Sequence, residues 1–192
     1  MAKVLLINGS GNEHGCTFTA LSEVAKALNE EGVETEIIQL GKDAIRDCIG
    51  CGSCGKLGRC VFDDDQVNLV AAKAKEADGF IFGSPVYYAH PSGRVLSFLD
   101  RLFYSAGSAF AYKPGAAVLS ARRGGTTASF DVLNKYFGIS NMMTVGSQYW
   151  NMVHGNKPEE VLQDLEGLQI MRTLGRKTDP KEGSYTTYLF DK

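Results

Sequence analysis

The sequence predicts an α/β fold in which a five-stranded parallel sheet, with strand order 2-1-3-4-5, lies between two layers of helices. Two observations predict this doubly wound, three-layer sandwich. Short apolar or β-branched runs alternate along the chain with segments whose apolar residues recur at helical spacing, which favours parallel strands and right-handed crossovers. Three glycine-rich loops follow the first, third and fourth predicted strands. In this strand order the carboxyl ends of these three strands are neighbours, and they lie at the edge where such sheets bind ligands.

The first predicted strand, residues 4–7, has four aliphatic residues in succession, which suits a strand buried on both faces. In the helix that follows, Leu21, Val24 and Leu28 recur at the spacing of one helical face. A half-alternating, β-branched segment at residues 33–40 predicts a second strand nearer the edge of the sheet.

The rest of the chain continues the alternation. The remaining predicted strands are residues 78–83, 116–120 and 142–146, and the remaining predicted helices are one that ends near Ala77 and three at residues 95–103, 128–137 and 158–176. The sequence contains no internal repeat, low-complexity tract or linker. We therefore interpret residues 1–192 as a single domain with a cysteine-rich loop at 42–62. The polar tail at 178–192 is expected to be mobile or partner-dependent.

Composition excludes several classes of protein. A chain of 192 residues with 44% hydrophobic content can bury one sizeable core. Its formal net charge of -2, with no window of five like charges, gives little support for nucleic-acid binding. No leader segment and no long apolar run is encoded, so we expect no membrane partner and a cytoplasmic protein whose five cysteines stay reduced.

The first loop, residues 8–17, reads NGSGNEHGCT and joins the first strand to the first helix. Backbone N–H groups at a helix N-terminus attract anions, and glycines allow a close approach, so a phosphate is the expected ligand. Ser10 and Thr17 add hydroxyl donors. Because no Lys or Arg lies between Lys3 and Lys26, neutral donors would do most of the holding.

Other phosphate-binding loops fit this stretch less well. A nucleotide-triphosphate loop needs Gly-Lys-Ser or Gly-Lys-Thr, whereas Gly15 is followed by Cys16 and Thr17. The glycine spacing also departs from GxGxxG. A phosphatase loop with Cys16 as nucleophile would need an Arg where Ser22 stands.

The second loop (residues 84–93) and the third loop (residues 121–126) follow the third and fourth strands. The second loop combines Pro85 with the adjacent Tyr87 and Tyr88, which suits an apolar wall for a flat ring. The third loop reads ARRGGT, with glycines where backbone must approach a ligand and two arginines that could face the phosphates of an acidic cosubstrate.

Four cysteines lie within thirteen residues and follow the pattern C-x2-C-x2-C-x5-C; they are Cys48, Cys51, Cys54 and Cys60. Two consecutive C-x2-C steps are typical of bacterial iron–sulfur loops, in which four thiolates hold the cluster. The last spacing is longer than in ferredoxins. The pattern favours a cluster. Three alternatives remain open: a run of cysteines that binds no metal, a zinc site, and redox disulfides.

The chain resembles the NADPH-dependent FMN reductase family of flavodoxin-like flavoproteins, and in particular its iron–sulfur flavoprotein branch. The resembling stretches are GSGNEHGCT, CIGCGSCGKLGRC, SPVYYAHPSGRVLSFLDR and ARRGG, which lie between residue 3 and about residue 150. The resemblance implies that FMN is bound through three groups of residues: the phosphate by Ser10, Asn12, Gly15, Cys16 and Thr17, the ring by Pro85, Val86, Tyr87 and Tyr88, and its pyrimidine edge by Gly124 and Gly125. Relatives often carry Pro-Arg where Gly11 and Asn12 stand here, so this chain lacks that cation.

The resemblance also implies an oxidoreductase. NAD(P)H would reduce FMN, and the electrons would pass to a quinone, a nitro or azo compound or a protein, by way of a [4Fe-4S] cluster on the four cysteines. No side chain need act as acid or base, because the flavin carries the chemistry. A homodimer or homotetramer is expected. The alternatives are a flavodoxin-type electron carrier without NAD(P)H turnover and a redox-sensing module that uses the cysteines.

Overall fold

The computed structural model describes residues 1–180, so the predicted tail beyond residue 180 lies outside the described residues. The strands are β1 (Lys3–Asn8), β2 (Glu34–Gln39), β3 (Gly79–Tyr87), β4 (His90–Pro91), β5 (Pro114–Ala121), β6 (Met143–Thr144) and β7 (Met152–His154). The helices are α1 (Cys16–Glu30), α2 (Cys54–Leu57), α3 (Val67–Ala74), α4 (Gly93–Ala106), α5 (Thr126–Ile139), α6 (Pro158–Val161) and α7 (Leu165–Lys177), with a 3₁₀ turn at Gly107–Ala109.

The sheet confirms the predicted fold class and strand order. Its parallel strands run in the order β2-β1-β3-β5-β6, which is the predicted 2-1-3-4-5 arrangement. Within residues 1–180 the sheet has seven strands, so the predicted count of five is wrong. The two additional strands are β4, which pairs antiparallel with the end of β3, and β7, which pairs with β5.

The fifth position of the sheet is divided between β6 and β7, in place of the single strand predicted at 142–146. β6 pairs with the start of β5, and β7 pairs parallel with its end. Asn151 is fully buried in the intervening turn, where its amide donates to the carbonyl of Val145 at 3.3 Å. Its backbone carbonyl accepts from the N–H of Leu119 at 3.0 Å. Through its side chain and its backbone, this one buried residue therefore links the end of β6 to β5 and bridges the gap before β7.

Two hydrophobic cores cover the two faces of the sheet, as a three-layer sandwich requires. Leu5, Ile7 and Phe80 belong to one core, together with residues of α3, α4 and α5. Leu6 and Ile81 belong to the opposite core, with residues of α1 and α7. The alternation follows from the period of two along a strand, and it explains why these central strands are apolar throughout.

The predicted terminal helix at 158–176 is wrong in one respect, because the chain forms two helices there. Asp164 caps α7 by accepting from the N–H of Gly167 at 3.0 Å, and its other oxygen accepts from the N–H of His154 at 2.7 Å. The tail predicted from residue 178 begins differently as well. Thr178 is buried and its hydroxyl donates to Leu174 at 2.8 Å, so this residue ends α7 inside the protein.

None of the helices in the described part of the chain is long and apolar enough to span a lipid bilayer.

Candidate functional site

The first loop is folded by its own polar side chains at the carboxyl end of β1. Oδ1 of the buried Asn8 accepts from the N–H of Ser10 at 3.1 Å. The hydroxyl oxygen of Ser10 accepts from the N–H of Asn12 at 3.1 Å, and Gln39 donates to the carbonyl of Ser10 at 2.7 Å. These bonds hold the loop against β2. Within residues 1–180 the Ser10 hydroxyl only accepts a hydrogen bond, so its proton can be donated to a ligand.

Helix α1 begins directly after this loop. Its N-cap is Gly15, which supplies no side-chain cap, and its first turn contains no acidic residue. Thr17 is buried in that turn, with its hydroxyl 2.8 Å from the hydroxyl of Ser120 at the end of β5. The uncapped N–H groups and the positive end of the helix dipole suit an anion.

Cys16 does not have the environment of a catalytic nucleophile. Its Sγ donates to the carbonyl of Gly155 at 3.6 Å. Burial raises the pKa of the Cys16 thiol, and the nearby Glu160 and Glu159 also raise it. Because the thiolate is the nucleophilic form, this environment argues against a phosphatase loop.

The second loop differs from prediction, because β3 continues through Pro85, Val86 and Tyr87. Sequence reasoning placed these residues in a loop. The pairing of β1 with β3 ends at Gly83, so β3 is an edge strand at Pro85, and an edge strand tolerates Pro. The chain then turns at Tyr88 and Ala89, with φ of 51° and 60°, and β4 returns antiparallel to β3. Tyr87 is 55% exposed and Tyr88 fully exposed, so both rings face solvent in large part.

The third loop packs against this turn. Gly125 has a φ of 101°, in the left-handed region that favours glycine. A Cβ added at Gly125 would lie 2.5 Å from Cα of Ala89 and 3.0 Å from Cγ1 of Val86. Gly124 is exposed and has open space around it.

A cavity of about 370 Å³, here called the edge cavity, opens where the strands end. Its lining residues are Ser10, Asn12, Cys16, Thr17, Pro85, Val86, Tyr87, Ser120, Ala121, Arg122, Gly155 and Asn156. The first seven of these are predicted cofactor residues. The other four predicted cofactor residues, Gly15, Tyr88, Gly124 and Gly125, do not line it. The volume falls within the range of about 300–1,000 Å³ that is usual for small-molecule sites.

Sequence reasoning missed three lining residues, Ser120, Gly155 and Asn156. Ser120 is polar and stands at the carboxyl end of an apolar strand, a signal that could have identified it. The other two follow β7, a strand of three residues that the pattern did not predict.

A second and smaller cavity, here called the cysteine cavity, has a volume of about 130 Å³. Its lining residues include Cys48, Cys51, Cys54, Cys60, Phe62 and Arg101. Cys60 is buried, whereas Cys51 is exposed and the other two are half-buried. Among residues 1–180, no three or more His, Cys, Asp or Glu side chains are grouped closely enough to hold a metal ion. The four thiols therefore share one cavity without forming a closed ligand set.

The fold and the edge cavity define the class of protein. A wound parallel sheet that gathers loops from its central strands around a cavity is the ligand-binding arrangement of flavodoxin-like proteins. The structure is similar to that of a flavodoxin from the domain Archaea, with a TM-score of 0.62 and 15% identity over 94% of this chain and 98% of that one. This likeness concerns the fold alone.

Sequence comparison identifies the family. The model of the NADPH-dependent FMN reductase family matches residues 2–157. An iron–sulfur flavoprotein of Methanocaldococcus jannaschii is 36% identical over 91% of this chain and 94% of its own length. Another, from Methanosarcina thermophila, is 30% identical over 82% of each chain. The chain belongs to the NADPH-dependent FMN reductase family.

Proposed function

We propose that the protein is an FMN-dependent oxidoreductase that takes a hydride from NAD(P)H and passes electrons to a quinone, a nitro or azo compound, or a protein. Family membership supports the flavin and the oxidoreductase class. The observation that carries the proposal is the edge cavity, which has an uncapped helix N-terminus at one side and the Pro85–Tyr87 wall at the other. FMN, when bound, supplies hydride acceptance and electron transfer.

The phosphate of FMN is assigned to the first loop. The Ser10 hydroxyl, whose oxygen already accepts from Asn12, would donate its proton to a phosphate oxygen, and backbone N–H groups of the first turn of α1 would donate beside it. Since the loop contains no Lys or Arg, the helix dipole supplies most of the positive potential. Arg122, which lines the same cavity, is the cation available to FMN or to the phosphates of the nicotinamide cosubstrate.

The ring of FMN is assigned to the wall formed by Pro85, Val86 and Tyr87. Pro85 and Val86 are half-buried and fixed by the pairing of β3 with β5 and β4, so they form a firm apolar surface. The exposed Tyr87 lies at the open side, where a nicotinamide would enter. In this arrangement the protein orients the flavin and excludes water from one face, and no side chain acts as an acid or base.

The cysteine cavity is assigned to a [4Fe-4S] cluster. Four thiols on one small cavity are the donor set that such a cluster needs, and a cluster would supply one-electron transfer. The two relatives from Methanocaldococcus jannaschii and Methanosarcina thermophila, both iron–sulfur flavoproteins, support the same assignment. Iron and acid-labile sulfide in anaerobically purified protein should each be about four per chain. Iron and sulfide contents near zero in the intact protein would contradict the assignment of a cluster.

The same proposal includes a homodimer or homotetramer in the cytoplasm, where thiols stay reduced. Exposed aromatic side chains just before β7 support an interface: Tyr149 is 61% exposed and Trp150 is 51% exposed. Light scattering during size-exclusion chromatography measures the assembly directly, and a monomeric mass at micromolar concentration would contradict this part.

The central experiment compares FMN with riboflavin, which has the same ring but no phosphate. Calorimetric titration under anaerobic conditions should show FMN binding at least about 100-fold more tightly, since the first loop would contact only FMN. Equal affinities would overturn the phosphate assignment. Loaded protein is then mixed with NADH or NADPH and the loss of flavin absorbance is followed, before a panel of acceptors is added. A flavin that dithionite reduces but neither nicotinamide does would identify an electron carrier.

A further inference from the structure

Arg101 is a buried cation at the wall of the cysteine cavity. Its side chain is 1% exposed, whereas Tyr104 on the same helix is 76% exposed. Nε donates to Sγ of Cys60 at 3.2 Å. Nη2 donates to the carbonyl of Phe62 at 3.2 Å, and the guanidinium lies 5.3 Å from the centre of the Phe62 ring. The side chain is therefore fixed by several contacts, and one of them is a cysteine sulfur.

A carboxylate fixes the other end of the guanidinium. Nη1 of Arg101 forms an ion pair with Asp65, whose side chain is 7% exposed. The second oxygen of Asp65 accepts from the N–H of Val67 at 3.1 Å, at the start of α3. Arg101 contacts the sulfur directly, whereas Asp65 contacts the far end of Arg101. Of these two charged side chains, Arg101 is therefore the one nearer to Cys60.

Cys60 is held more firmly than the other cysteines of the run. Asn68 accepts from its N–H at 2.9 Å and donates to its carbonyl at 3.0 Å. The segment that carries the other three cysteines contains Gly50, Gly52 and Gly58 at positive φ, and none of these glycines has a neighbour within 4 Å of an added Cβ. Cys60 is thus the preorganised thiol, and the preceding segment has room to adapt around it.

We propose that Arg101 is a positioning residue that raises the reduction potential of the cluster by donating a charged hydrogen bond to the Cys60 sulfur. A cluster held by the four cysteines would take up one electron from reduced flavin or from an added reductant, with no ligand bond broken and no proton moved. The negative charge of the site would then increase by one. A buried cation hydrogen-bonded to a ligand sulfur favours that reduced state, since hydrogen bonds to the sulfurs and net charge set cluster potentials.

This inference depends on the proposed cluster, and two variants separate its electrostatic effect from damage to the fold. Asp65→Asn keeps an oxygen that can accept from Val67 and removes the charge that compensates Arg101. The double variant Arg101→Met/Asp65→Asn removes both charges and the donor to Cys60. Because it leaves no unpaired buried ion, we expect it to fold, since the loss of a whole buried ion pair is often nearly neutral for stability. Arg46→Gln is the matched control, because Arg46 also lies 5.3 Å from the centre of the Phe62 ring but its side chain is 58% exposed and screened by solvent.

The measurement is the midpoint potential of the cluster in the whole protein, obtained by anaerobic redox titration with electron paramagnetic resonance. We expect Asp65→Asn to raise the one-electron equilibrium constant about tenfold and the double variant to lower it about tenfold, each equivalent to 59 mV. Arg46→Gln should change it less than about twofold. Shifts of the same sign in both variants, or none, would overturn the role of Arg101. Iron-free wild-type protein would instead defeat the proposed cluster itself, and the inference with it.

Discussion

The hydroxyl of Ser92 donates to the backbone carbonyl of Gly9 at 3.2 Å and joins the start of α4 to the first loop. The same oxygen accepts from the N–H of Val95 at 3.3 Å and so caps α4. The N–H of Ser92 donates to the hydroxyl of Ser84 at 3.0 Å. This one buried residue therefore connects the start of α4 with the first loop and with β3, both of which border the edge cavity.

Replacing Ser92 with Ala should weaken both the fold and FMN binding. Loss of the cap and of the bond to Gly9 is expected to lower the free energy of unfolding by about 1–2 kcal/mol. FMN affinity should fall about tenfold, because the first loop loses its anchor to α4. Urea denaturation and calorimetric titration measure the two effects. Ser108→Ala, on the exposed 3₁₀ turn, is the control; equal losses in the two variants would contradict this role of Ser92.

Gly125 should not tolerate a side chain, whereas its neighbour Gly124 should. An Ala at 125 would have a φ of 101° and would place Cβ 2.5 Å from Cα of Ala89. We expect Gly125→Ala to lower the free energy of unfolding by more than about 2 kcal/mol. Gly124→Ala, with open space around the added Cβ, should change it by less than about 0.5 kcal/mol. Similar stabilities of the two variants in urea would show that the contact with Ala89 is loose.

The sequence predicted the sheet well because its central strands are apolar along their whole length, a pattern that helices of this protein do not share. It did not predict β6 and β7, since strands of two and three residues carry no period, and the turn between them depends on hydrogen bonds of Asn151 to Val145 and Leu119. The continuation of β3 through Pro85 was missed for a related reason. Pairing with β5 decides it, and a local rule for Pro cannot.

The candidate site was predictable where it depends on chain order. Residues of the first loop and of the end of β3 line one cavity, because parallel strands bring their carboxyl ends to one edge. The cysteine spacing likewise indicated that these side chains would share a cavity. Arg101 could not be assigned from sequence, since its helical position alone does not reveal a contact with a cysteine 41 residues away.

Glu36 should make stability depend on pH in the acid range. A hydrogen bond from Lys73 is the main cause that lowers the pKa of Glu36 below its ordinary value of 4.5, and Lys3 adds to it. Because the folded-state pKa is depressed, the stabilisation is present above pH 4.5 and is lost as the pH falls through the folded-state value. The side chain is 31% exposed, so solvent screening limits the effect to about 1 kcal/mol or less.

Glu36→Gln tests this dependence. The variant should be less stable than the wild type near neutral pH, and the two should become equally stable in acid, as measured by urea denaturation across the range. Glu76→Gln, at an exposed position, is the control and should change stability by less than about 0.5 kcal/mol at any pH. A difference for Glu36→Gln that stays constant from neutral to acid pH would point to packing and not to charge.

Cys16 should report on occupation of the edge cavity through its reactivity with iodoacetamide. Burial raises the pKa of this thiol above its ordinary value of 9.0, so little thiolate is present near neutral pH, and alkylation should be slow and should speed up as the pH rises.

FMN should slow the alkylation of Cys16 further, because the thiol lines the cavity in which FMN would lie. Peptide mass spectrometry separates Cys16 from the other four cysteines and gives its rate alone. Riboflavin at the same concentration should protect less, and protein unfolded in urea should react at the rate of an ordinary thiol. If Cys16 is alkylated at that ordinary rate in folded protein that is mixed with saturating FMN, the flavin does not bind in the edge cavity.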